Sequence, residues 1–424
     1  MGIQTLFEKR KYLSIWNTSY PLSPKDWKPF LIQQQLPFDD ERNICFYLHI
    51  PFCKQLCSFC EYTRMMCPDE QLQKEYLKVI SNDIKEFKTT HDGIILQGFD
   101  IGGGTPTALS DECFSTLLDV YDETVQGMQI SFDYEPSIEG TFETVSKYKL
   151  NRITKSGIRR VSFGIQSTNK DVMDTAHRNT VNIETIKETF YIARESGIRK
   201  INVDLMYGLK SQSLDSLKED LKVIKVLEPD QVTLYELRTN MIPYKCLTHP
   251  SERFAMYKIL YKGLVDMGYC STFGQNTFSF DAKDLGVSSY IRKRMKEFMP
   301  YKGFGISAQS MSSLGISYNA EKNNILTKKA IQKSTYSENW YYKLSRNELA
   351  SKYIAISAYC GTFSLSKLTS ILGEDSDQIY SKQIEFCINN NLMIKNGNEL
   401  RITQKGFEFY GAVFSLFYKP NQLD

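Results

Sequence analysis

The stretch Tyr47-Leu-His-Ile-Pro-Phe-Cys-Lys-Gln-Leu-Cys-Ser-Phe-Cys60 decides what kind of chain this is. It holds three cysteines, Cys53, Cys57 and Cys60, in the spacing Cys-x3-Cys-x2-Cys. A [4Fe–4S] cluster normally takes four cysteine thiolates, so these three are one ligand too few. An iron without a protein ligand is an open metal position, where a small molecule can bind and be activated. The spacing therefore predicts a four-iron cluster with one reactive iron.

Structural zinc is the alternative for the same three cysteines. It would need a fourth ligand, for which the nearby candidates are Cys67 and His49. Zinc sites usually combine Cys-x2-Cys with a second, distant pair of ligands, and the sequence has no such pair. The position directly after an apolar run, opening with His-Ile-Pro-Phe, favours the cluster.

The composition is that of a globular protein, and 424 residues leave room for two or three domains. The net charge of +3 is too small to predict nucleic acid or a membrane surface as a partner. No apolar run reaches the roughly 18 residues of a membrane span, and residues 1–12 lack a signal-peptide core. The remaining cysteines are scattered, which is typical of a reducing compartment, so we expect a cytoplasmic location.

Between residues 45 and 280, short apolar runs alternate with longer amphipathic ones at intervals of about 30 residues or more. Such βα repeats predict a parallel sheet or barrel whose active-site groups lie at the carboxyl ends of the strands. The predicted strands are Cys45–Ile50, Ile94–Ile101, Gln129–Tyr134, Arg160–Ile165, Lys200–Val203 and Gln231–Tyr235. The polar groups that follow them in turn are Cys53, Gly102–Gly104, Glu135, Gln166, Asp204 and Glu236.

Three further parts flank this predicted barrel. Residues 1–44 contain several prolines and read as an extended, wrapping arm, and residues 281–335 as an irregular connecting segment. Residues 336–424 read as a small winged-helix-like unit. In it, helical runs precede a hairpin around Asn396-Gly397 and a closing helix Gly406–Phe417.

The run Gly102-Gly-Gly-Thr-Pro106 follows the second predicted strand. Glycines let a ligand approach the backbone, and exposed N–H groups bind anions. Taken alone, the run reads equally well as a tight turn, and it lacks the P-loop and dinucleotide-binding patterns. Beside a cluster loop, we interpret it as a ligand cradle.

Four more polar residues have both a structural and a functional interpretation. Glu135 and Asp204 are either helix N-caps or carboxylates that bind ribose hydroxyls. Gln166 is either a buried amide or a ribose contact. Arg178 either pairs with a surface carboxylate or binds a ligand carboxylate through its planar guanidinium. A shared position on one barrel mouth favours ligand binding for all four.

With these motifs in place, the chain resembles the oxygen-independent coproporphyrinogen oxidases. This family includes haem-chaperone relatives and the class C radical S-adenosylmethionine (SAM) methyltransferases, and the likeness covers nearly the whole chain. It implies an α/β fold, a partial (β/α)6 radical SAM barrel (residues 45–280) with an N-terminal arm and a small winged-helix-like C-terminal domain. The motifs that carry it are Tyr47–Cys53, Gly102–Pro106, Arg160–Gln166, Asn202–Gly208, Gly303–Ala308 and Leu400–Gly406.

The resemblance also implies cofactors and their ligands. In radical SAM enzymes a [4Fe–4S] cluster cleaves SAM reductively to methionine and a 5′-deoxyadenosyl radical. By the resemblance, the cluster would be held by Cys53, Cys57 and Cys60. The SAM contacts would be Phe59 for adenine, the backbone of Gly103, Gly104 and Thr105 for the methionine end, and Glu135, Gln166, Arg178 and Asp204 for ribose and carboxylate. The candidate catalytic residues beside the cluster are Tyr47 and Tyr62.

One position departs from the family pattern. The oxidases have a further cysteine two residues after the third ligand, where this chain has Tyr62. This argues against decarboxylation of coproporphyrinogen, although Asn17–Pro21 resembles an element of the oxidases' N-terminal arm. We therefore predict a radical SAM oxidoreductase or methyltransferase with diverged chemistry, using one or two SAM molecules.

The expected substrate is an apolar or aromatic small molecule, with a tetrapyrrole included. An electron donor such as flavodoxin or ferredoxin is the expected protein partner, whereas nucleic acid and membranes are not expected. The alternative function is a haem-binding, chaperone-like protein with little turnover.

Overall fold

The structure is a computed structural model, and it describes residues 2–11, 29–237, 248–320 and 326–418. At its centre, six parallel strands follow one another across an open, mostly parallel sheet. These strands are β1 (Asn43–Ile50), β2 (Ile95–Gly103), β3 (Ser137–Gly140), β4 (Arg160–Gln166), β5 (Lys200–Tyr207) and β6 (Gln231–Glu236). The predicted α/β fold with a partial barrel is confirmed.

Amphipathic helices connect the strands and cover the outer face of the sheet. The helix Leu214–Leu227 shows why they form: Leu217 and Ile224 bury one face, Ser213 caps the first turn, and Glu228 turns left-handed before Pro229. The helices of this half are α1 (Ile3–Arg10), α2 (Glu70–Thr90), α3 (Asp111–Val125), α4 (Lys147–Lys155), α5 (Lys170–Thr175), α6 (Ile183–Glu195), α7 (Leu214–Leu227) and α8 (Pro250–Asp266).

The third strand is not where the apolar run predicts it. Only Gln129–Ile130 pair with β2 there, and Phe132 is fully exposed. The barrel strand is Ser137–Gly140, which pairs with β2 on one side and β4 on the other. A strand of four residues is too short to show a hydrophobic period, so the exposed run beside it looked more strand-like.

Residues 281–335 are not the irregular connection that the sequence suggests. Within them a strand, Tyr301–Phe304 (β8), pairs in parallel with β1, and two antiparallel strands continue the sheet outward. Gly303 allows the backbones of the first two of them to approach closely, because a Cβ there would lie 2.4 Å from the Gln309 carbonyl oxygen. These outer strands are β7 (Thr277–Ser279, antiparallel to β6), β8 (Tyr301–Phe304), β9 (Gln309–Ser312), β10 (Gly315–Tyr318) and β11 (Tyr341–Lys343).

The C-terminal residues form the predicted helices and hairpin, with one more strand than expected. That strand, Thr362–Ser364 (β12), pairs with the second hairpin strand to give a three-stranded sheet. Two short helices, α9 (Ser289–Arg292) and α10 (Lys328–Ile331), come before this unit. Its elements are α11 (Arg346–Ser357), β12 (Thr362–Ser364), α12 (Leu365–Leu372), α13 (Ser376–Ile379), α14 (Ser381–Asn389), β13 (Met393–Asn396), β14 (Glu399–Ile402), α15 (Gln404–Phe407) and α16 (Tyr410–Ser415). In place of the single closing helix expected over 406–417, the unit ends in two short helices, α15 and α16.

The N-terminal arm begins as a helix, contrary to the predicted extended chain. Helix α1 packs on the C-terminal unit: Arg10 Nη1 donates to the Ser415 carbonyl oxygen at 3.0 Å, and Phe7 contacts the rings of Phe386 and Phe409. The family-like segment Asn17–Pro21 lies outside the described residues. No helix in the described ranges is long and apolar enough to cross a membrane.

Candidate functional site

The three predicted ligand cysteines lie in one loop after β1. Cys53 ends a two-residue strand that pairs with Met65–Met66, and the Cys60 N–H donates to the Cys57 carbonyl oxygen at 3.3 Å. The loop is tied to the chain after β4, because the Ser58 N–H donates to the Ala176 carbonyl oxygen at 2.9 Å. Cys53 and Cys57 are buried and Cys60 is half-buried.

The surroundings of the thiols fit a cluster. Thr105 Oγ1 lies 3.8 Å from Cys53 Sγ and Arg178 Nη1 lies 3.7 Å from Cys57 Sγ, so both sulfurs have donors of the kind that tune iron–sulfur centres. Burial raises the pKa of Cys53 to about 12. A thiolate at this position is therefore favoured only when bound to a cation such as iron.

The two candidate fourth ligands for zinc are engaged elsewhere. Cys67 Sγ donates to the Ala108 carbonyl oxygen at 3.3 Å, and His49 Nε2 lies 2.9 Å from the Thr63 carbonyl oxygen. Across the described residues, no group of three His, Cys, Asp or Glu side chains is arranged to hold a single metal ion. Each cysteine of a cluster binds a different iron, so cluster ligands do not converge on one point.

The glycine run borders the cysteine loop closely. A Cβ on Gly104 would lie 2.7 Å from Cys53 Sγ, and one on Gly103 would lie 2.8 Å from His49 Nδ1. Gly103 also has a φ of +124° and its N–H donates to Glu139 Oε2 at 3.3 Å. Only glycine fits both positions, which brings the backbone of residues 103–105 against the cluster loop.

Glu135 does not lie at this mouth. It precedes β3, its Oε1 lies 2.8 Å from Lys200 Nζ at the start of β5, and its N–H donates to Ser289 Oγ. These contacts are at the amino ends of the strands. The carboxyl group that reaches the mouth is Glu139, within β3, which sequence reasoning missed because β3 was assigned to the wrong residues.

Glu139 has an unusual electrostatic environment. Solvent reaches its side chain from the open mouth, whereas protein surrounds the carboxyl group on the other sides. This partial loss of solvent, together with the nearby carboxyl groups of Asp204 and Asp100, raises the pKa of Glu139 to about 8. Burial also raises the pKa of Asp204 to about 6, although Asn202 Nδ2 donates to it at 2.8 Å. The mouth thus holds two neighbouring carboxyl groups, and a polar ligand that donates hydrogen bonds to them would stabilise their ionised forms.

Gln166 and Arg178 meet at the end of β4. Gln166 has a φ of +69°, at a bulge in the pairing with β5, and its Oε1 is buried with no hydrogen-bond partner within the described residues. Arg178 Nη2 donates to the Gly164 carbonyl oxygen at 2.6 Å. A buried amide oxygen without a donor suits a bound polar ligand.

Phe59 lies in the cysteine loop, whereas Tyr47 and His49 lie on β1 just before it. Phe59 packs against an apolar group that includes Met206, Leu209 and Leu237, a surface suited to a flat ring. Burial lowers the pKa of His49 to about 4, and its Nδ1 lies 3.3 Å from the Tyr47 hydroxyl. Both ring nitrogens of His49 thus contact other protein groups, which gives His49 a structural role.

Tyr47 also stacks on Tyr290 with ring centroids 5.7 Å apart. Tyr62 is 56% exposed. Burial holds the pKa of Tyr47 well above its ordinary value, and Glu139 and Tyr62 add smaller contributions in the same direction.

Comparison with known proteins agrees with this geometry. Residues 47–224 match the model of the radical SAM superfamily, so the chain carries a radical SAM domain. The match spans the cysteine loop, the glycine run, Glu139, Gln166, Arg178 and Asp204.

The relatives extend the likeness beyond that domain. The oxygen-independent coproporphyrinogen III oxidase of Escherichia coli is 27% identical over 325 residues, which are 72% of this chain and 70% of that protein. The haem chaperone HemW of Haemophilus influenzae is 31% identical over 202 residues, 46% of this chain and 51% of that protein.

A solved structure supports the same fold outside the barrel. The coproporphyrinogen III oxidase HemN from Escherichia coli superposes with a TM-score of 0.74, covering 89% of this chain and 91% of that one. At 22% identity this likeness concerns the fold.

Proposed function

We propose that this protein is a radical SAM enzyme that acts on an apolar or aromatic small molecule, a class that includes the tetrapyrroles. The proposal rests mainly on one observation. The loop that carries the three cysteines lies so close to the glycine run that a Cβ on Gly104 would overlap Cys53 Sγ. When bound, the [4Fe–4S] cluster supplies the electron for reductive cleavage of SAM.

The residues of the mouth would divide the binding of SAM among them. The N–H groups of residues 103–105 would hold its methionine end, and Arg178 its carboxylate, as a bidentate donor. Glu139, Gln166 and Asp204 would accept or donate hydrogen bonds at the ribose hydroxyls. Phe59 would cover the adenine ring and keep water from it.

Tyr47 and Tyr62 are proposed to face the substrate or a second SAM molecule. Tyr47 donates its hydroxyl to neutral His49, which fixes the orientation of its ring. Tyr62 is a bulky phenol where the oxidases have a thiol, so the pocket beside the cluster has a different shape. We further propose a one-electron donor such as flavodoxin or ferredoxin and a cytoplasmic location.

Anaerobic reconstitution with iron and sulfide tests the proposal, followed by SAM carrying a labelled methyl group, dithionite and mass spectrometry. Cleavage of SAM supports radical SAM chemistry, and label in the product supports methyl transfer. Cys53→Ala, Cys57→Ala or Cys60→Ala should each remove the brown chromophore, whereas Cys67→Ala should keep it. Full iron loading in the triple variant would contradict the cluster assignment.

A second candidate is a haem-binding, chaperone-like protein, since one relative is named a haem chaperone and Tyr62 replaces the oxidase cysteine. Haem titration of the reconstituted protein separates the two. Stoichiometric haem binding without SAM cleavage would favour the chaperone, and cleavage coupled to product would favour the enzyme. We expect no useful conversion of coproporphyrinogen in either case.

A further inference from the structure

Lys149 joins the two loops that flank the proposed SAM site. It lies on α4, its side chain is only 8% exposed, and its ammonium points inward. Lys149 Nζ lies 2.8 Å from the Thr107 carbonyl oxygen, 2.8 Å from that of Leu109 and 3.2 Å from that of Thr144. Thr107 and Leu109 belong to the turn after the glycine run, and Thr144 follows β3, which carries Glu139.

A second set of contacts joins the same two loops. The hydroxyl oxygens of Thr107 and Thr144 are 2.6 Å apart, and the Thr141 N–H donates to Thr107 Oγ1 at 3.3 Å. A Cβ on Gly140 would lie 3.0 Å from the Thr107 side chain, so the two backbones approach closely here. The turn after β2 and the loop after β3 are therefore packed as one unit.

The ammonium has no capacity left for another role. It has three N–H donors, which match the three carbonyl oxygens, and Asp111 Oδ1 lies 3.5 Å away as its counter-charge. Hydrogen bonds from a charged donor are stronger than neutral ones. A change at Lys149 therefore acts first on the position of these two loops.

We propose that Lys149 is a positioning residue for SAM. By holding the turn after the glycine run against β3, it sets the distance between the N–H groups of residues 103–105 and the Glu139 carboxyl group. In the proposed SAM site, on which this inference rests, these N–H groups and this carboxyl group contact the same SAM molecule. Holding these groups at a fixed distance preorganises the site, which favours binding.

The variant Lys149→Met tests this, because it keeps most of the aliphatic stem and removes the ammonium. Arg152→Met is the matched control: Arg152 is on the same helix, its side chain is 11% exposed, and it pairs with Asp119 and Asp122 of α3. By calorimetry on reconstituted protein, we expect Lys149→Met to raise the Kd for SAM about fivefold, which corresponds to the loss of one hydrogen bond to the ligand. The change that SAM produces in the electron paramagnetic resonance spectrum of the reduced cluster should also diminish.

Arg152→Met should lower the melting temperature to a similar degree and leave the Kd for SAM unchanged. Equal effects of the two variants on SAM affinity, or wild-type affinity in Lys149→Met, would overturn the proposal. If Lys149→Met does not fold, Thr107→Val decides, since it removes the hydroxyl bridge without a buried charge and should weaken SAM in the same direction. Failure of the wild-type protein to bind SAM would instead overturn the proposed function, and this inference with it.

Discussion

At the residue scale, Glu135 and Glu139 are four positions apart and have opposite surroundings. Glu135 is paired with Lys200 at the amino ends of the strands, whereas Glu139 receives a hydrogen bond from Gly103 at the mouth. The difference follows from where β3 begins, at Ser137, because a strand of four residues has its carboxyl end only a few residues after its start. The register of one short strand therefore selects which carboxyl group faces the ligand.

The first prediction compares these two carboxyl groups. Glu139→Gln should raise the Kd for SAM about tenfold, because an NH2 group replaces one carboxyl oxygen and cannot accept from a ribose hydroxyl or from the Gly103 N–H. Glu135→Gln should leave the Kd unchanged and lower stability through loss of the Lys200 contact. Calorimetry on reconstituted protein measures both. A larger effect on SAM from Glu135→Gln would contradict the assignment.

The second prediction concerns Arg178. Its planar guanidinium reaches the Gly164 carbonyl oxygen and Cys57 Sγ at once, which the ammonium of lysine cannot do. Arg178→Lys should keep the iron content of the cluster and weaken SAM binding roughly tenfold to hundredfold, since a hydrogen bond to a charged group contributes about 1.5–3 kcal/mol. Unchanged SAM affinity would remove Arg178 from the site.

At the scale of elements, the glycine run serves as a spacer between three neighbours. Each glycine admits a different one: Gly102 the Glu139 carboxyl group, Gly103 the His49 ring and Gly104 the Cys53 sulfur. A side chain at any of them would push apart elements that must meet for the proposed site. The end of β2 thus lies directly beside both the cysteine loop and the Glu139 carboxyl group.

The third prediction tests the spacer. Gly104→Ala places a methyl group 2.7 Å from Cys53 Sγ and 2.8 Å from the Pro51 carbonyl carbon, so the cysteine loop must shift. We expect iron loading after reconstitution to fall severalfold. Gly127→Ala is the control, because Gly127 has a φ of +77° and nothing within 4 Å of its Cβ position. That variant should cost about 1–2 kcal/mol of stability and keep its iron; equal iron loss in both would refute the spacer role.

The fourth prediction concerns Asp133, in the turn between α3 and β3. Burial alone would raise the pKa of Asp133, but hydrogen bonds from Lys293, Ser131 and Arg292 hold this pKa below its ordinary value. The folded state therefore favours the ionised carboxylate. This contribution is present above the pKa of the unfolded carboxyl, about 4, and is lost as the pH falls through the lower folded value.

Asp133→Asn should accordingly lower the free energy of unfolding by roughly 2 kcal/mol at pH 7. The difference from the wild type should shrink steadily below about pH 4. Urea unfolding at a series of pH values measures it. A difference that stays constant down to pH 2 would show that the carboxylate charge is not what stabilises this turn.

At the scale of the whole molecule, the C-terminal unit is fastened to the last barrel strand. Glu236, at the end of β6, lies 2.7 Å from Arg253 Nη1 on α8 and accepts a hydrogen bond from the Tyr410 hydroxyl at 2.7 Å. Both charged side chains are 5% exposed. Although the sequence suggested that Glu236 would line the mouth, the structure uses it to hold the C-terminal unit over the barrel.

The fifth prediction tests this fastening. Glu236→Gln leaves the buried Arg253 without its full counter-charge, and breaking a buried ion pair costs about 3–5 kcal/mol. Thermal unfolding should show a large loss, and hydrogen exchange should rise in α15 and α16. The exposed pair Lys262–Asp266 provides the control, since Asp266→Asn should cost less than about 1 kcal/mol. Equal losses in both variants would contradict a special role for Glu236.

The sequence by itself determined the features that depend on short spacing. The cysteine triplet, the glycine run and the positions of Gln166 and Asp204 are local patterns, and five of the six barrel strands carry their own apolar runs. Helix α7 and the C-terminal hairpin were predictable for the same reason, because hydrophobic period and Asn-Gly turns act within a few residues.

Only the tertiary structure decided what depends on long-range pairing. Strand β3 and outer strand β8 are short, and they form because neighbours distant in sequence supply their hydrogen bonds. That pairing puts Glu139 at the mouth and removes Glu135 from it. Lys149 gave no signal in the sequence and Glu236 was expected at the mouth, since burial of a charge depends on distant partners, such as Leu109, 40 positions from Lys149, and Tyr410, 174 positions from Glu236. No local pattern records such partners, which is why these roles could not be predicted.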